Sequence, residues 1–214
     1  MSDAHTAHRA FLNRYYGASR SIYDITRKYY LFGRDVVLRE LAGDVRWRGL
    51  VEVGPGTGRN LRRLRRARPD VELGGLEASD AMLSFARSRC PWAHLVHGFA
   101  ENAEMGRVLG RPPDRILFSY CLSMVSDPRA ALDNARGALA ADGEVVVVDF
   151  ADLGGFPRPL VDRFRAYLRA FHVQPLDGAT LAEAFDLRWG PGRYYVIARF
   201  GPAGPAVARP SAVT

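Results

Sequence analysis

Residues Gly49 to Gly58 read GLVEVGPGTG, and the fold turns on how they are read. Leu50 to Val53 form a short apolar run with one acid, Glu52, set into it, the pattern of a buried strand. Gly54, Gly56 and Gly58 follow at spacing two. Glycine reaches positive φ without a Cβ penalty and lets another molecule approach the backbone, so alternating glycines at a strand end predict a ligand cradle. Beyond them Asn60, Leu61 and Leu64 open a helical periodicity. Strand, glycine turn and helix make the first unit of a nucleotide-binding α/β fold.

The dinucleotide fingerprint needs its third glycine at position 59, where this chain has Arg59, and Pro55 stiffens the turn. A second apolar run, Val71 to Leu76, ends in Glu77. That is about 20 residues past the glycines, the spacing at which an acid grips ribose hydroxyls. A ligand with a ribose and no pyrophosphate contact fits S-adenosyl-L-methionine, leaving S-adenosyl-L-homocysteine as product. The competing reading is a structural glycine turn followed by an ordinary surface glutamate.

Outward from this unit the same alternation repeats. Arg59 to Arg68 turns Leu61, Leu64 and Ala67 inward and its arginines outward. Ser79 or Asp80 caps a helix running to Cys90, and a third strand covers Ala93 to His97. A fourth strand covers Arg115 to Tyr120, and Pro128 opens a helix to Leu139. The fifth strand, Glu144 to Phe150, holds four consecutive valines, the mark of a sheet centre buried on both faces. Past a glycine- and proline-containing loop comes an amphipathic helix with Leu160, Phe164, Tyr167, Leu168 and Phe171 on one stripe. Phe185 to Trp189 and Tyr194 to Phe200 flank Gly190-Pro191-Gly192 as a hairpin.

Ahead of the glycine loop, Ser21 to Asp35 is apolar and aromatic, Gly33 stops the run, and Asp35 is placed to cap a helix from Val36 to Leu41. Five tyrosines, Tyr15, Tyr16, Tyr23, Tyr29 and Tyr30, fall within sixteen residues. They read either as core filling or as a lid over a substrate. The domain plan is therefore a helical lid over 1–48, an α/β core over 49–201 and a flexible tail over 202–214.

The 214 residues carry a formal charge of +7, nearly all of it arginine, with Lys28 the only lysine. Such a balance favours nucleic acid or an anionic membrane surface. No apolar run approaches the ~20 residues of a membrane span, and no signal-peptide core is evident at the N-terminus. Cys90 and Cys121 have no metal spacing, and a lone pair of cysteines makes no disulfide framework. The expectation is a cytoplasmic, reduced protein.

Five strand–helix alternations and a closing hairpin predict the class I methyltransferase fold, a Rossmann-like, mostly parallel seven-stranded sheet. Ligands in such sheets sit at the carboxyl ends of the strands. That rule gathers Gly54 to Gly58, Glu77, Phe99 to Glu101 and Ser119 to Met124 around one crevice.

The chain resembles bacterial S-adenosylmethionine-dependent lipid N-methyltransferases, with the nearest likeness to betaine-lipid enzymes of the BtaB type. The segments that carry the likeness are YDITRKYYLFGRD (Tyr23 to Asp35), EVGPGTGRNL (Glu52 to Leu61), LEASDAML (Leu76 to Leu83), SYCLSMVSDP (Ser119 to Pro128), VVDFADL (Val147 to Leu153) and LRAFHVQP (Leu168 to Pro175). The resemblance implies successive methylation of the amino group of diacylglycerylhomoserine to the trimethylated betaine lipid. A close relative acts on phosphatidylethanolamine. It implies a lipid substrate in an anionic membrane, peripheral attachment to the inner membrane face, a functional link to the enzyme supplying diacylglycerylhomoserine, and no nucleic acid partner.

The same likeness implies the site. Glu52, Gly54, Gly56 and Gly58 line the methionyl end of the cofactor, Glu77 holds the ribose, and Ala78 and Met82 flank the adenine. Phe99 stands where many relatives have an acid, so backbone amides of Phe99 and Ala100, with Glu101, hold the adenine. Pro55, Thr57, Asn60, Ser79, Ser119, Ser123, Tyr23, Tyr30 and Arg34 complete the cofactor set, together with Tyr120. Arg27 or Arg34 meets the substrate carboxylate, Arg34 also being a candidate for the cofactor carboxylate. Tyr23, Tyr29 or Tyr30 gives an aromatic wall for the cationic products. Tyr120, His172, Asp149 or bulk water is left as the base that keeps the amine neutral, with Tyr23, Tyr30, Tyr120 and His172 as the catalytic set.

Three rivals remain. A nucleic-acid methyltransferase accounts for the charge, but Ser119 to Ser123 lacks the Asn/Asp-Pro-Pro-aromatic signature of enzymes acting on base amines. A non-catalytic cofactor-binding subunit has the intact glycine loop and Glu77 against it. A quinone or other small-molecule methyltransferase stays within the same enzyme class.

Overall fold

In the computed structural model, which describes residues 31–170 and 173–203, the apolar runs become the strands of one sheet. The elements are α1 (Arg34–Gly43), β1 (Gly49–Val53), α2 (Arg59–Ala67), β2 (Glu72–Glu77), α3 (Asp80–Arg89), β3 (His94–His97), β4 (Arg115–Ser119), α4 (Pro128–Ala138) and β5 (Glu144–Phe150). They continue as α5 (Arg158–Ala170), the short α6 (Gly178–Leu181), β6 (Asp186–Trp189) and β7 (Tyr195–Phe200). The seven strands lie in the order β3-β2-β1-β4-β5-β7-β6. The first five are parallel, and β7 runs antiparallel between β5 and β6. The chain builds outward from β1 through β2 to β3, then returns to the other side of β1 with β4. A crevice opens at that reversal, and it is where a ligand of such a sheet sits.

The core lies in two layers, one on each sheet face. Val146 and Val148 point into the layer with Val37, Leu41, Leu61 and Leu64, and Val145 and Val147 into the layer with Ile116, Phe118, Leu132 and Phe200. All four valines are 0% exposed, so β5 is covered on both faces as its unbroken apolar run requires. Ser79 caps α3 by accepting from the Met82 amide at 3.4 Å, and Asp127 caps α4 by accepting from Ala130 at 3.0 Å.

The structure corrects three local expectations. Asp35 does not cap α1. The cap is Gly33, at φ 82°, and a Cβ there would lie 2.5 Å from the Tyr195 ring, so packing demands glycine where local sequence favours aspartate. Asp35 instead sits in the first turn and accepts from Arg63 at 2.6 Å and Arg59 at 3.3 Å, tying α1 to α2. The fourth strand ends at Ser119, because Tyr120 leaves the sheet at φ 54°. In α5 the inward residues are Val161 and Leu168, while Leu160 is 53% and Tyr167 45% exposed, so two members of the expected stripe face outward.

Of the segment assigned to a lid, α1 buries Val37, Leu38 and Leu41 against the sheet. Tyr15, Tyr16, Tyr23, Arg27, Tyr29 and Tyr30 lie outside the described residues, as do Phe171, His172 and the tail from 204 onward. No helix among the described residues is long and apolar enough to cross a membrane.

At the end of the sheet where the parallel strands begin, the chain lays down paired charges. Arg115, 4% exposed, donates to Asp44 at 2.9 Å, and Arg199 bridges Glu144 at 2.7 Å and Glu40 at 2.9 Å. Arg188 grips both oxygens of Glu40 at 2.7 Å.

Candidate functional site

At the carboxyl ends of β1, β2 and β4 the cleft is lined from one side by Leu31 and Arg34, from below by Glu52 to Thr57, and opposite by Glu77, Ala78 and Met82. Phe99 to Glu101 and Ser119 to Cys121 close its remaining walls, with Met124 and Val125. The glycines differ in what they do. Gly54, at φ 66°, would drive a Cβ to 2.6 Å from Cys121 Sγ, so it is fixed by packing as well as by conformation. Gly56, at φ 56°, has no atom within 4 Å of a built Cβ and is the glycine that leaves room beside the loop. Gly58, expected to line the methionyl end, is buried away from the cleft, with Cys90 Sγ 2.6 Å from its built Cβ. It caps the start of α2 at φ 70°, where the packing of Cys90 leaves no space for a Cβ.

Two buried acids organise the floor. Glu77, 6% exposed, accepts from the Gly56 amide at 3.1 Å and from the Ser79 amide at 3.0 Å. It therefore braces the glycine loop and the start of α3 against each other across the cleft. Burial raises its pKa, against the pull of the amides of Ser79, Gly56 and Ala78. Glu52, 1% exposed, accepts from Asn60 Nδ2 at 2.7 Å through one oxygen, and its Oε2 has no hydrogen-bond partner. Burial pushes its pKa up to about 7, opposed by Asn60 and Arg34.

The wall facing them is cationic and aromatic. Arg34 has its pKa lowered by burial and then by Arg59, and its Nε is buried without a partner. Ser119 Oγ is likewise buried and unpartnered. The Tyr120 hydroxyl donates to the Phe32 carbonyl, and its ring meets Phe150 edge-on at 4.7 Å. Burial, then Asp149, raises its pKa above the ordinary tyrosine range. In this arrangement the hydroxyl donates to a carbonyl and so ties the chain at Phe32 to the cleft wall. Asp149, fully buried, accepts from the amides of Ser123 at 3.0 Å and Phe150 at 2.8 Å, so it anchors the loop after β4.

Most of the expected cofactor residues come together. Arg34, Glu52, Gly54, Pro55, Gly56, Thr57, Asn60, Glu77, Ala78, Met82, Phe99, Ala100, Glu101, Ser119 and Tyr120 all face the cleft. Ser79 and Ser123, like Gly58, do not: one is the buried cap of α3, the other is buried behind the cleft wall. Tyr23, Arg27, Tyr29, Tyr30 and His172 fall outside the described residues. Sequence reasoning missed Arg59, which lines the cleft and pairs with Asp35. Its signal was present, since it replaces the third glycine of the dinucleotide pattern and fills that space with a cation.

Unpartnered Glu52 Oε2, Arg34 Nε and Ser119 Oγ, beside the open face of Gly56, supply an acceptor, cationic donors and a hydroxyl to one small polar ligand. The amino and carboxylate groups of an amino-acid moiety match that donor and acceptor set.

A family model described as a methyltransferase domain matches residues 23–188. Among curated proteins, a demethylmenaquinone methyltransferase from Tropheryma whipplei is 28% identical over 169 residues, 77% of this chain and 68% of the relative. An O-methyltransferase family protein from Burkholderia thailandensis superposes with a TM-score of 0.65 at 13% identity, over 88% of this chain and 62% of its own. An amino pentose methyltransferase from Micromonospora echinaspora, solved with S-adenosylmethionine bound, gives a TM-score of 0.50 at 23% identity, over 59% of this chain and 55% of its own.

Proposed function

The chain belongs to the methyltransferase domain family, and on that premise we propose that it methylates the amino group of diacylglycerylhomoserine in succession to the trimethylated betaine lipid. Its cofactor is S-adenosyl-L-methionine. The cofactor, when bound, supplies a sulfonium methyl group that passes in line to a nucleophile. The residues present fit it: Glu52 and Arg34 toward the amino-acid end, Glu77 toward the ribose, and Met82 with Phe99 toward the base.

Positioning supplies most of the rate in such a transfer, and a braced cleft is suited to that work. Glu77 holds the glycine loop to α3, Asp35 holds α1 to α2, and Tyr120 holds the chain at Phe32 over the cleft mouth. The observation that carries the acceptor reading is the mixed lining of the cleft. Leu31, Met124 and Val125 line the same cleft as Arg34, an apolar and cationic combination that matches a carboxylate-bearing head on an apolar body. The demethylmenaquinone relative favours a second reading, methylation of a quinone ring, whose acceptor is also a polar head on a long apolar tail.

Mass spectrometry of lipid and quinone extracts from a host carrying the gene, with and without a diacylglycerylhomoserine source, tests both. The expected result is a ladder of mono-, di- and trimethylated homoserine lipid that needs the source. A methylated quinone with no ladder overturns the first reading and supports the second.

A further inference from the structure

Helix α5 is written RPLVDRFRAYLRA, and its outward side is not what a helix packed on a sheet requires. Val161 and Leu168 satisfy the core. Leu160 at 53%, Tyr167 at 45%, Phe156 at 37% and Phe32 at 56% stay exposed. Two of them, Phe32 and Tyr167, are joined through one layer of rings. Phe164 stacks on Tyr167 at 6.1 Å and leans on Tyr194 at 5.4 Å, and Phe32 meets Tyr194 edge-on at 5.4 Å. Phe156 packs against Gly192, two residues from Tyr194. The layer ends at the cleft, because Leu31 lines it and the Phe32 carbonyl accepts from Tyr120, another lining residue. An apolar surface thus runs from the mouth of the cleft out along α5.

Its charge narrows the partner. Helix α5 carries Arg158, Arg163, Arg165 and Arg169 against Asp162, four positive groups to one negative. Arg163 is three residues from Leu160 and four from Tyr167, so it stands beside both on the helix surface. At about 3.6 residues per turn Arg158, Arg165 and Arg169 fall on the far side of the helix, and Arg163 is the arginine that flanks Leu160 and Tyr167, as a basic residue does on a helix lying in a membrane interface. Two copies of this face laid together would set like charges against each other. A bilayer with anionic headgroups accepts both parts, the side chains into the acyl boundary and the Arg163 guanidinium among the phosphates.

We propose that α5, with Phe32 and Phe156, is the surface on which the protein docks to an anionic bilayer, setting the cleft mouth against the membrane so that an acceptor's head enters while its chains stay in lipid. The last clause rests on the amphiphilic acceptor proposed above; the docking surface does not. A second exposed group, Leu187 and Trp189 on β6 with Phe185 just before it, lies at the sheet edge, where Arg193 covers Trp189 at 4.0 Å and Arg188 is paired to Glu40. It serves as the control.

Co-sedimentation of the full chain with phosphatidylcholine vesicles, with or without phosphatidylglycerol, tests the surface. The double variant Leu160→Ser/Tyr167→Ser is expected to lose roughly ten-fold or more in vesicle affinity, the worth of two half-exposed side chains kept from the acyl boundary. Arg163→Gln is expected to lose about five-fold on phosphatidylglycerol vesicles and nothing on phosphatidylcholine. Phe185→Ser should bind as the parent does. S-adenosylhomocysteine affinity, unchanged in all three, certifies the fold. Parent-level vesicle binding by the double variant overturns the proposal. So does a double variant that changes only self-association in sedimentation velocity, which would make α5 a contact between copies. Docking without a methylated homoserine lipid or quinone in extracts would remove the acceptor reading and leave the surface standing. A methylated lipid with no vesicle binding would do the reverse.

Discussion

Where the parallel strands begin, Arg115 meets Asp44 at 2.9 Å, Arg199 meets Glu144 at 2.7 Å and Arg188 meets Glu40 at 2.7 Å; where they end, Glu52, Arg34 and Ser119 each bury a polar atom with no partner. The carboxyls follow suit. Hydrogen bonds from Arg46, then Arg115, hold Asp44 well below the ordinary range, and Arg188, then Arg199, hold Glu40 down. Burial instead pushes Glu52 and Glu77 up. Among the described residues Arg115 Nε breaks the pattern at the first end. Buried polar groups cost free energy unless paired. One end of the sheet therefore reads as the part that holds the fold, and the other as the part that leaves its polar atoms to a ligand.

The comparison breaks first, and by the largest loss of folding stability, at Arg115. Arg115→Met removes the buried partner of Asp44, which keeps Arg46, and the 3.5 Å neighbour of Glu144, which keeps Arg199, and the expected loss is roughly 1.5–3 kcal/mol of folding stability. Urea unfolding at neutral pH measures it, with S-adenosylhomocysteine affinity of the folded fraction unchanged. A loss below about 1 kcal/mol, the worth of a surface pair, would make this end ordinary surface.

The second test uses the opposite signs of the two ends. Glu52 has a folded pKa of about 7 against an ordinary 4.5, so the fold favours its protonated form. Its contribution is complete below about pH 4.5 and is lost as pH rises through about 7. Glu40 and Asp44 are held below their ordinary values, so their contribution is present above that range and is lost as pH falls through the lowered values. Glu52→Gln should remove the decline between pH 4.5 and 7, gaining on the order of 3 kcal/mol above pH 7 relative to the parent, and leave the acid-side loss untouched. Parallel unfolding curves for parent and variant across that window would show that Glu52 is not buried in the way described.

Much of this architecture was legible in the sequence because short-range patterns carry it. The glycine spacing, the acid ending the second apolar run and the valine run at β5 each announce a local geometry, and each strand was found within a residue or two. What escaped was set by contacts distant in the chain. Gly33 caps α1 because the Tyr195 ring occupies the place of a Cβ, and Gly58 is held by Cys90, thirty-two residues on. Tyr120 turns out of the sheet to reach Phe32, eighty-eight residues earlier. The exposure of Leu160 and Tyr167 was hidden for another reason. A helical stripe tells which residues share a side, not which side faces the sheet.

The central claim is that the end of the sheet with unpartnered polar atoms is the cofactor cradle, with Glu77 at its hinge. Calorimetric titration of S-adenosylhomocysteine into the parent and into Glu77→Ala tests it most directly. The account predicts a loss of roughly 1.5–3 kcal/mol of binding free energy, the worth of hydrogen bonds to a charged group, in a variant that still unfolds cooperatively. Parent-like affinity in that folded variant would contradict it.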